Sequence, residues 1–259
     1  MKTVYGPVPS ARFGRSLGVD PNCLRKRCSF GCLYCQLGPT TVKTLERKVY
    51  VDPQMVRRDL ESAKKDNADV ITFSGTGEPT LNSKIGEMII SAKKFGLPIV
   101  VLTNSSTLSD PAVRAALCNA DIVAAKLDAS NEEVFQKVSR PIEGLEFGQI
   151  VDGIMEFRKE FKGKLVLQMM FIAENKGCTG EMARLAERIG PDEVQLDTPL
   201  RKPSESPPLS REEMEAIRKE FGALPASISI ISIYDLKEPD VDPINLDETR
   251  MRRPGNRIP

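Results

Sequence analysis

The 259-residue sequence contains no histidine and no tryptophan. Without an imidazole there is no Ser-His-Asp or Cys-His nucleophile and no histidine-ligated zinc, so those classes of chemistry are excluded. No apolar run approaches the roughly 20 residues that a membrane span needs. The stretch from Met1 to Arg15 lacks the apolar centre of a signal peptide, so a cytoplasmic protein with no membrane partner is expected. Charge of one sign is also missing: 37 Lys and Arg face 36 Asp and Glu, a net charge of +1. No global field draws nucleic acid, and any basic recognition surface has to be local. What is present is 40% apolar and 28% charged residues, the composition of a globular protein with a sizeable core.

Beyond about residue 50, short β-branched runs alternate with longer helical patterns, the signature of successive βα units on a parallel sheet. Strands are expected near Ser16–Val19, Val70–Phe73, Ile99–Leu102, Ile122–Leu127, Leu165–Ile172, Val194–Leu196 and Ile228–Ile233. Asp52-Pro53 and Asp110-Pro111 each read as an N-cap followed by proline at the first helical position, and Gly96 as a helix stop. Further helices are expected over Asn82–Phe95, Asn131–Val138, Gly148–Phe161, Thr179–Ile189 and Ser210–Phe221. About six such units predict the α/β class and a partial (β/α)6 TIM-like barrel, with an open doubly wound sheet as the competing layout. The barrel core is assigned to residues 1–233. The segment from Tyr234 to Pro259 carries four prolines and no periodicity, which predicts an extended C-terminal tail, either a strap or a frayed end.

Four of the six cysteines fall between Cys23 and Cys35. In a cytosolic chain, thiols clustered in this way point to metal or redox chemistry rather than to structural disulfides. Cys28, Cys32 and Cys35 have the spacing C-x3-C-x2-C, with Gly31 easing the turn between them. A structural zinc site would need a fourth ligand, and Cys23 could complete a non-catalytic zinc knuckle. A cuboidal iron–sulfur cluster usually takes four cysteines, so three would leave one iron free to bind something else.

The C-x3-C-x-aromatic-C run at positions 28–35, placed after the first strand of a βα series, resembles the radical S-adenosylmethionine (SAM) superfamily. The resemblance implies that Cys28, Cys32 and Cys35 hold a 4Fe-4S cluster whose fourth iron is chelated by the amino and carboxylate groups of SAM. It implies reductive cleavage of SAM to methionine and a 5′-deoxyadenosyl radical, which takes hydrogen from a substrate. Tyr34 would then lie against the adenine, the alternative being a loop anchor packed on the core. Gly75-Thr76-Gly77-Glu78-Pro79, after the second expected strand, resembles the Gly-Gly-Glu motif that receives the amino group of the cofactor; Thr76 stands where a second glycine is usual.

Later strand ends are polar as well. Thr103, Asn104 and Ser105 could bond a ribose or cap the helix that begins at Asp110. Lys126 and Asp128 share one face of a strand, where the barrel mouth favours contacts with the cofactor carboxylate or ribose over a plain salt bridge. Gln168 can reach a ligand from the fifth strand, and Asp197 from the sixth. Cys118 precedes a strand, on the opposite face, and reads as a small packing residue. Cys178 follows the fifth strand and is either a hydrogen donor to a substrate radical or an incidental thiol. Arg12, Arg15, Arg25, Lys26, Arg27, Arg201 and Lys202 surround the mouth and suit an anionic substrate, an acidic electron donor such as flavodoxin or ferredoxin, or a solvated face.

The opening from Gly6 to Asp20, the block Ser139-Arg140-Pro141 and the run Val194–Pro199 resemble a group of short iron–sulfur oxidoreductases related to the tRNA wyosine-forming enzymes. The second-cluster cysteines of the wyosine enzymes are missing, and the chain stops six residues after Arg253, so nucleic acid is not the favoured partner. A glycyl-radical-enzyme activase and a non-catalytic metal-binding scaffold are the alternative readings.

Overall fold

The computed structural model describes residues 2–23, 25–63, 67–202 and 204–254. An eight-stranded sheet runs in the order of the sequence: β1 (Val4–Ser10), β2 (Gly14–Val19), β3 (Val70–Phe73), β4 (Ile99–Thr103), β5 (Ile122–Lys126), β6 (Lys164–Met170), β7 (Glu193–Asp197) and β8 (Ser229–Ser232). β1 and β2 form an antiparallel hairpin, and every later pairing is parallel. Between the parallel strands lie α1 (Pro53–Ser62), α2 (Ile85–Lys93), α3 (Pro111–Leu117), α4 (Glu132–Ser139) with α5 (Phe147–Glu160), α6 (Thr179–Ile189) and α7 (Arg211–Phe221). β1 and β8 are the two edges of a sheet that does not close, so the expected partial barrel is the observed architecture.

The local chemistry of the helix ends is as expected. The Asp52 side chain accepts from Gln54 N with Pro53 at the first helical position, and Asp110 accepts from Ala112 N in the same way. Ser210 and Glu213 form a reciprocal capping box on α7. β3 to β7 are largely buried on both faces, and Leu17, Ile71, Val101, Val123, Leu167 and Val194 belong to one apolar core with the inward faces of the helices. β1 was not among the expected strands. Pro7 and Pro9 cannot donate to a ladder, which argues against a central strand but is tolerated at an edge, where β1 lies.

The tail corrects the expectation in part. Residues 236–245 do run as a strap from β8 to β1, across the seam where the sheet stays open, and Ile244 N donates to Gly6 O at 2.6 Å. The chain then forms an eighth helix, α8 (Leu246–Arg252), capped by the Asn245 side chain accepting from Glu248 N. Its short length and charged sequence hide it from a periodicity search. Pro259 lies outside the described residues. Cys118 is a second correction: it sits on the face expected but is exposed rather than packed. Among the described residues, no helix is long and apolar enough to cross a membrane.

Candidate active site at the open end of the barrel

All the parallel strands end on one face, where loops carry groups toward a common mouth, as they do in barrels. Two adjoining cavities of about 340 and 270 Å³ open there, and both are lined by Cys28, Tyr34, Cys35, Gly75, Gly77, Lys126 and Gln168. Cys32 and Glu78 line the second and Asp197 the first.

The cysteine loop leaves β2 at Asp20 and is tied down on both sides. Arg27 N donates to Thr76 O at 3.0 Å and Glu78 N to Arg27 O at 2.8 Å, so the loop pairs with the Gly75–Glu78 turn. A Cβ on Gly77 would lie 1.7 Å from Arg27 O, and its φ of +139° is glycine territory. On the other flank, Gly31 N donates to Ser139 O at 3.0 Å and Ile142 N to Ser29 O at 2.7 Å, which gives the Ser139-Arg140-Pro141 block its part: it is the shelf on which the loop rests. Phe30 packs edge-on against Phe135 of α4, ring centroids 5.4 Å apart. Gly31 takes no positive φ; its missing side chain makes room for Lys43 instead, whose Cε would be 3.3 Å from a Cβ.

The four clustered cysteines separate into three and one. Cys28, Cys32 and Cys35 face the cavities. Cys23 is buried behind the loop, its Sγ 3.2 Å from Asp20 O and 3.5 Å from Arg252 Nη2, and it lines neither cavity. A zinc knuckle that recruits Cys23 is therefore not what the loop builds. Among the described residues no three Cys, Asp or Glu side chains converge on a single ion, as separated ligands of a larger cluster need not. Asn104 Nδ2 lies 3.4 Å from Cys28 Sγ, and Lys26 Nζ lies 3.2 Å from Cys35 Sγ. Burial pushes the Cys28 thiol up to about 12 and raises that of Cys32 as well, so their thiolates need nearby positive charge of the kind a metal centre supplies.

Behind the loop stands a buried cation. Arg252 of α8 is fully buried; its Nε donates to Asp20 Oδ2 at 3.1 Å, its Nη2 to Lys2 O at 2.8 Å, and its Nη1 to the Glu248 carboxylate. Asp20 in turn accepts from the Thr76 hydroxyl at 2.8 Å and from Cys23 N at 3.1 Å. Sequence reasoning missed this junction, because nothing local joins an arginine at 252 to an aspartate at 20.

The strand-end residues divide between internal and cavity-facing roles. Glu78 is buried and saturated: it accepts from Thr80 N, the hydroxyls of Thr80 and Thr103, and Asn104 N at 2.6 Å. Burial raises its carboxyl even so, against those bonds. The Ser105 hydroxyl donates to Lys126 O at 3.0 Å. The Thr103 hydroxyl is thus taken by Glu78, the Asn104 amide by Cys28 and Ser29, and the Ser105 hydroxyl by Lys126 O, while Thr103 and Asn104 also line the second cavity. The Tyr34 hydroxyl donates to Asp128, Lys126 Nζ lies 3.6 Å from Asp128 and 4.9 Å from the centre of the Tyr34 ring, and burial raises the Asp128 carboxyl despite Lys126. Gln168 Nε2 and Asp197 Oδ1 are buried without a hydrogen-bond partner, an amide donor and a carboxylate acceptor left over at the cavity wall. Cys178 is not brought to this mouth. It ends a helical turn packed against the apolar core, so the hydrogen-donor reading loses its geometry.

Residues 24–186 match the family model of the Radical SAM superfamily. The chain belongs to the radical SAM superfamily. A UPF0026 protein of Synechocystis is 41% identical over 211 residues, 81% of this chain and 78% of that one. Streptococcus suis SuiB bound to S-adenosylmethionine superposes with a TM-score of 0.65 at 13% identity, covering 85% of this chain and 50% of that chain. TYW1 with a lysine-pyruvate adduct bound gives 0.60 at 16% identity, covering 83% and 77%. At such identities the structural likeness is one of fold, and this chain spans half the length of SuiB. As a radical SAM enzyme it uses a 4Fe-4S cluster and SAM and needs a source of electrons. The residues present fit those groups: three cavity-facing thiols offer one ligand fewer than a cuboidal cluster has irons, and two orphaned buried polar atoms wait beside them.

Proposed function

We propose that this chain generates a radical from SAM at Cys28, Cys32 and Cys35 and uses it on a substrate held in the same mouth. The observation that carries the reading is the withdrawal of Cys23, which leaves three cavity-facing thiols and no fourth. When bound, the cluster and SAM supply an electron, a cleaved sulfonium and a 5′-deoxyadenosyl radical able to take hydrogen from carbon.

The chain's own residues bind and orient. Gly75 and Gly77 line both cavities, so the peptide groups of the Gly-Thr-Gly turn are placed to meet the methionyl amino group. Glu78, fully bonded within the protein, acts by fixing that turn to the loop after β4. Lys126, held beside Asp128 and over the Tyr34 ring, supplies a cation for the methionyl carboxylate. Gln168 Nε2 and Asp197 Oδ1 match a hydroxyl acceptor and a hydroxyl donor of the ribose. Asn104, through its amide, tunes the sulfur of Cys28. A flavodoxin- or ferredoxin-type donor is the expected reductant, and exposed Arg25 marks the outer side of the cysteine loop as its approach.

The test is anaerobic reconstitution followed by reduction with dithionite in the presence of SAM. Release of 5′-deoxyadenosine that disappears in Cys32→Ser is the expected result. A reconstituted chain that binds iron and releases none would overturn the reading.

A further inference from the structure

Residues 38–50 join the cysteine loop to α1 without forming a helix or a strand of the sheet. The segment lies across the outside of that loop: Thr44 N donates to Cys28 O at 3.0 Å, Lys43 Nζ to Pro141 O at 3.1 Å and Lys48 N to Leu81 O at 3.1 Å. Its charge is unlike that of the chain as a whole. Between residues 21 and 50 stand Arg25, Lys26, Arg27, Lys43, Arg47 and Lys48 against one acid, Glu46, whereas the full sequence has 37 cations against 36 acids. Lys26 is turned to Cys35 and Gly38, Arg27 to the carbonyls of Asn22 and Cys23, and Arg47 to Thr80 O and Asp110. Arg25 is exposed, and Lys48, paired with exposed Glu46, keeps 54% of its side chain in solvent. Among the described residues eight large apolar side chains are exposed, and three of them fall here: Val42 at 73%, Leu45 at 37% and Val49 at 52%. Apolar groups left in water beside a basic rim mark a surface that a partner covers.

We propose that residues 38–50, with Arg25, form the docking face for an acidic one-electron carrier protein of the flavodoxin or ferredoxin kind. This deepens the reading above and rests on it. Position selects the occupant: Cys28 lines both cavities and is one hydrogen bond from Thr44, so a carrier seated on the segment stands a layer of backbone away from that cysteine. The step is a one-electron transfer, in which the carrier is oxidised and the cysteine-held cluster reduced. Nucleic acid is the less suitable partner. It would gain from an open aromatic ring on which to stack a base, and Tyr50 is already covered by Arg27, 4.4 Å from the ring centre, and Lys48 at 5.6 Å. Exposed valine and leucine add nothing to phosphate binding, but a few apolar side chains rimmed by cations suit the small, transient interfaces of electron-transfer proteins.

Electron transfer into the anaerobically reconstituted chain, followed by stopped-flow absorbance, tests the inference with photoreduced plant-type 2Fe-2S ferredoxin and flavodoxin hydroquinone as the probes. At least one is expected to deliver its electron at a rate that falls as salt rises. Charge reversal in Arg25→Glu/Lys48→Glu, or loss of apolar surface in Val42→Ser/Val49→Ser, is expected to slow that transfer about tenfold. Reduction by methyl viologen, a small cation that needs no docking face, is expected to be no slower in either variant. Arg184→Glu, on the exposed side of α6, is expected to behave as wild type. Carbodiimide coupling of the same carrier to the wild-type chain is expected to join its carboxylates to Lys48, read by peptide mass, a measurement that needs no variant to fold. Transfer from both carriers that ignores salt and both double substitutions overturns the proposal. So does coupling confined to lysines outside residues 38–50, or a single-stranded oligonucleotide that binds this face where neither carrier couples. If that happens in a chain that assembles its cluster and releases 5′-deoxyadenosine with dithionite, the docking face alone is lost. Coupling at Lys48 in a chain that makes no 5′-deoxyadenosine instead removes the radical reading and leaves the face.

Discussion

Replacing Arg252 by methionine probes the junction that holds the cysteine loop from behind. Methionine fills similar space, but Asp20 loses the guanidinium paired with it while staying fully buried. Breaking a buried ion pair by removing one partner costs about 3–5 kcal/mol. Asp20 keeps four donors, from Thr76 N, the Thr76 hydroxyl, Asn22 N and Cys23 N, so the lower end, about 3 kcal/mol, is expected. For a chain of this size that corresponds to a fall in Tm of about 6–12 °C. Arg57→Met, which breaks the exposed Arg57–Glu61 pair on α1, should cost less than about 1 kcal/mol. Melting curves of the metal-free variants by circular dichroism give the comparison, and hydrogen exchange at Asn22 and Cys23 reports whether the loop itself loosens. An Arg252→Met protein that melts within about 2 °C of wild type would refute the clamp.

Gly77→Ala places a Cβ against Arg27 O in a backbone region that costs about 1–3 kcal/mol for other residues, so the loop must move; iron incorporation should fall, and full incorporation at an unchanged Tm would contradict the close pairing. Asn104→Ala removes a donor to the Cys28 sulfur and should lower the cluster's midpoint potential, by up to about 40 mV if the bond is worth about 1 kcal/mol, as an anaerobic redox titration would show. Burial alone would raise the Asp59 carboxyl, but the Thr3 amide and hydroxyl and Lys2 hold it below the usual range; Glu248 is lowered in the same way by Arg252 and Lys2. Both stabilise the folded chain fully above the ordinary carboxylate range and lose that contribution as pH falls through the lowered values. Asp59→Asn should therefore destabilise the protein at pH 7 and much less at pH 3, in paired melting experiments.

The expected elements that proved right are those whose signal is local: the capped helices at Asp52 and Asp110 and the β-branched strands; the closely spaced Cys28, Cys32 and Cys35 line one cavity. What failed to show was set by distant partners. β1 hides behind Pro7 and Pro9 because only its place at the sheet edge makes those prolines acceptable. α8 hides because its stabilising contacts are with β1 and Asp20, far away in sequence, rather than along an apolar stripe of its own. Asn104 has the right chemistry for a ribose, yet its amide goes to Cys28 and Ser29, a choice made by the packing of two loops. The orphaned atoms of Gln168 and Asp197, by contrast, are where the strand-end reading placed ligand contacts.

The proposal that Cys28, Cys32 and Cys35 leave one iron for SAM is tested most directly in the Cys23→Ser variant, reconstituted without oxygen and examined by metal analysis and by electron paramagnetic resonance with SAM labelled at its amino nitrogen. About four irons and four sulfides per chain are expected, with a reduced spectrum that changes on adding SAM and couples to the label. Loss of the metal with Cys23, or a single zinc and a spectrum indifferent to SAM, would contradict it.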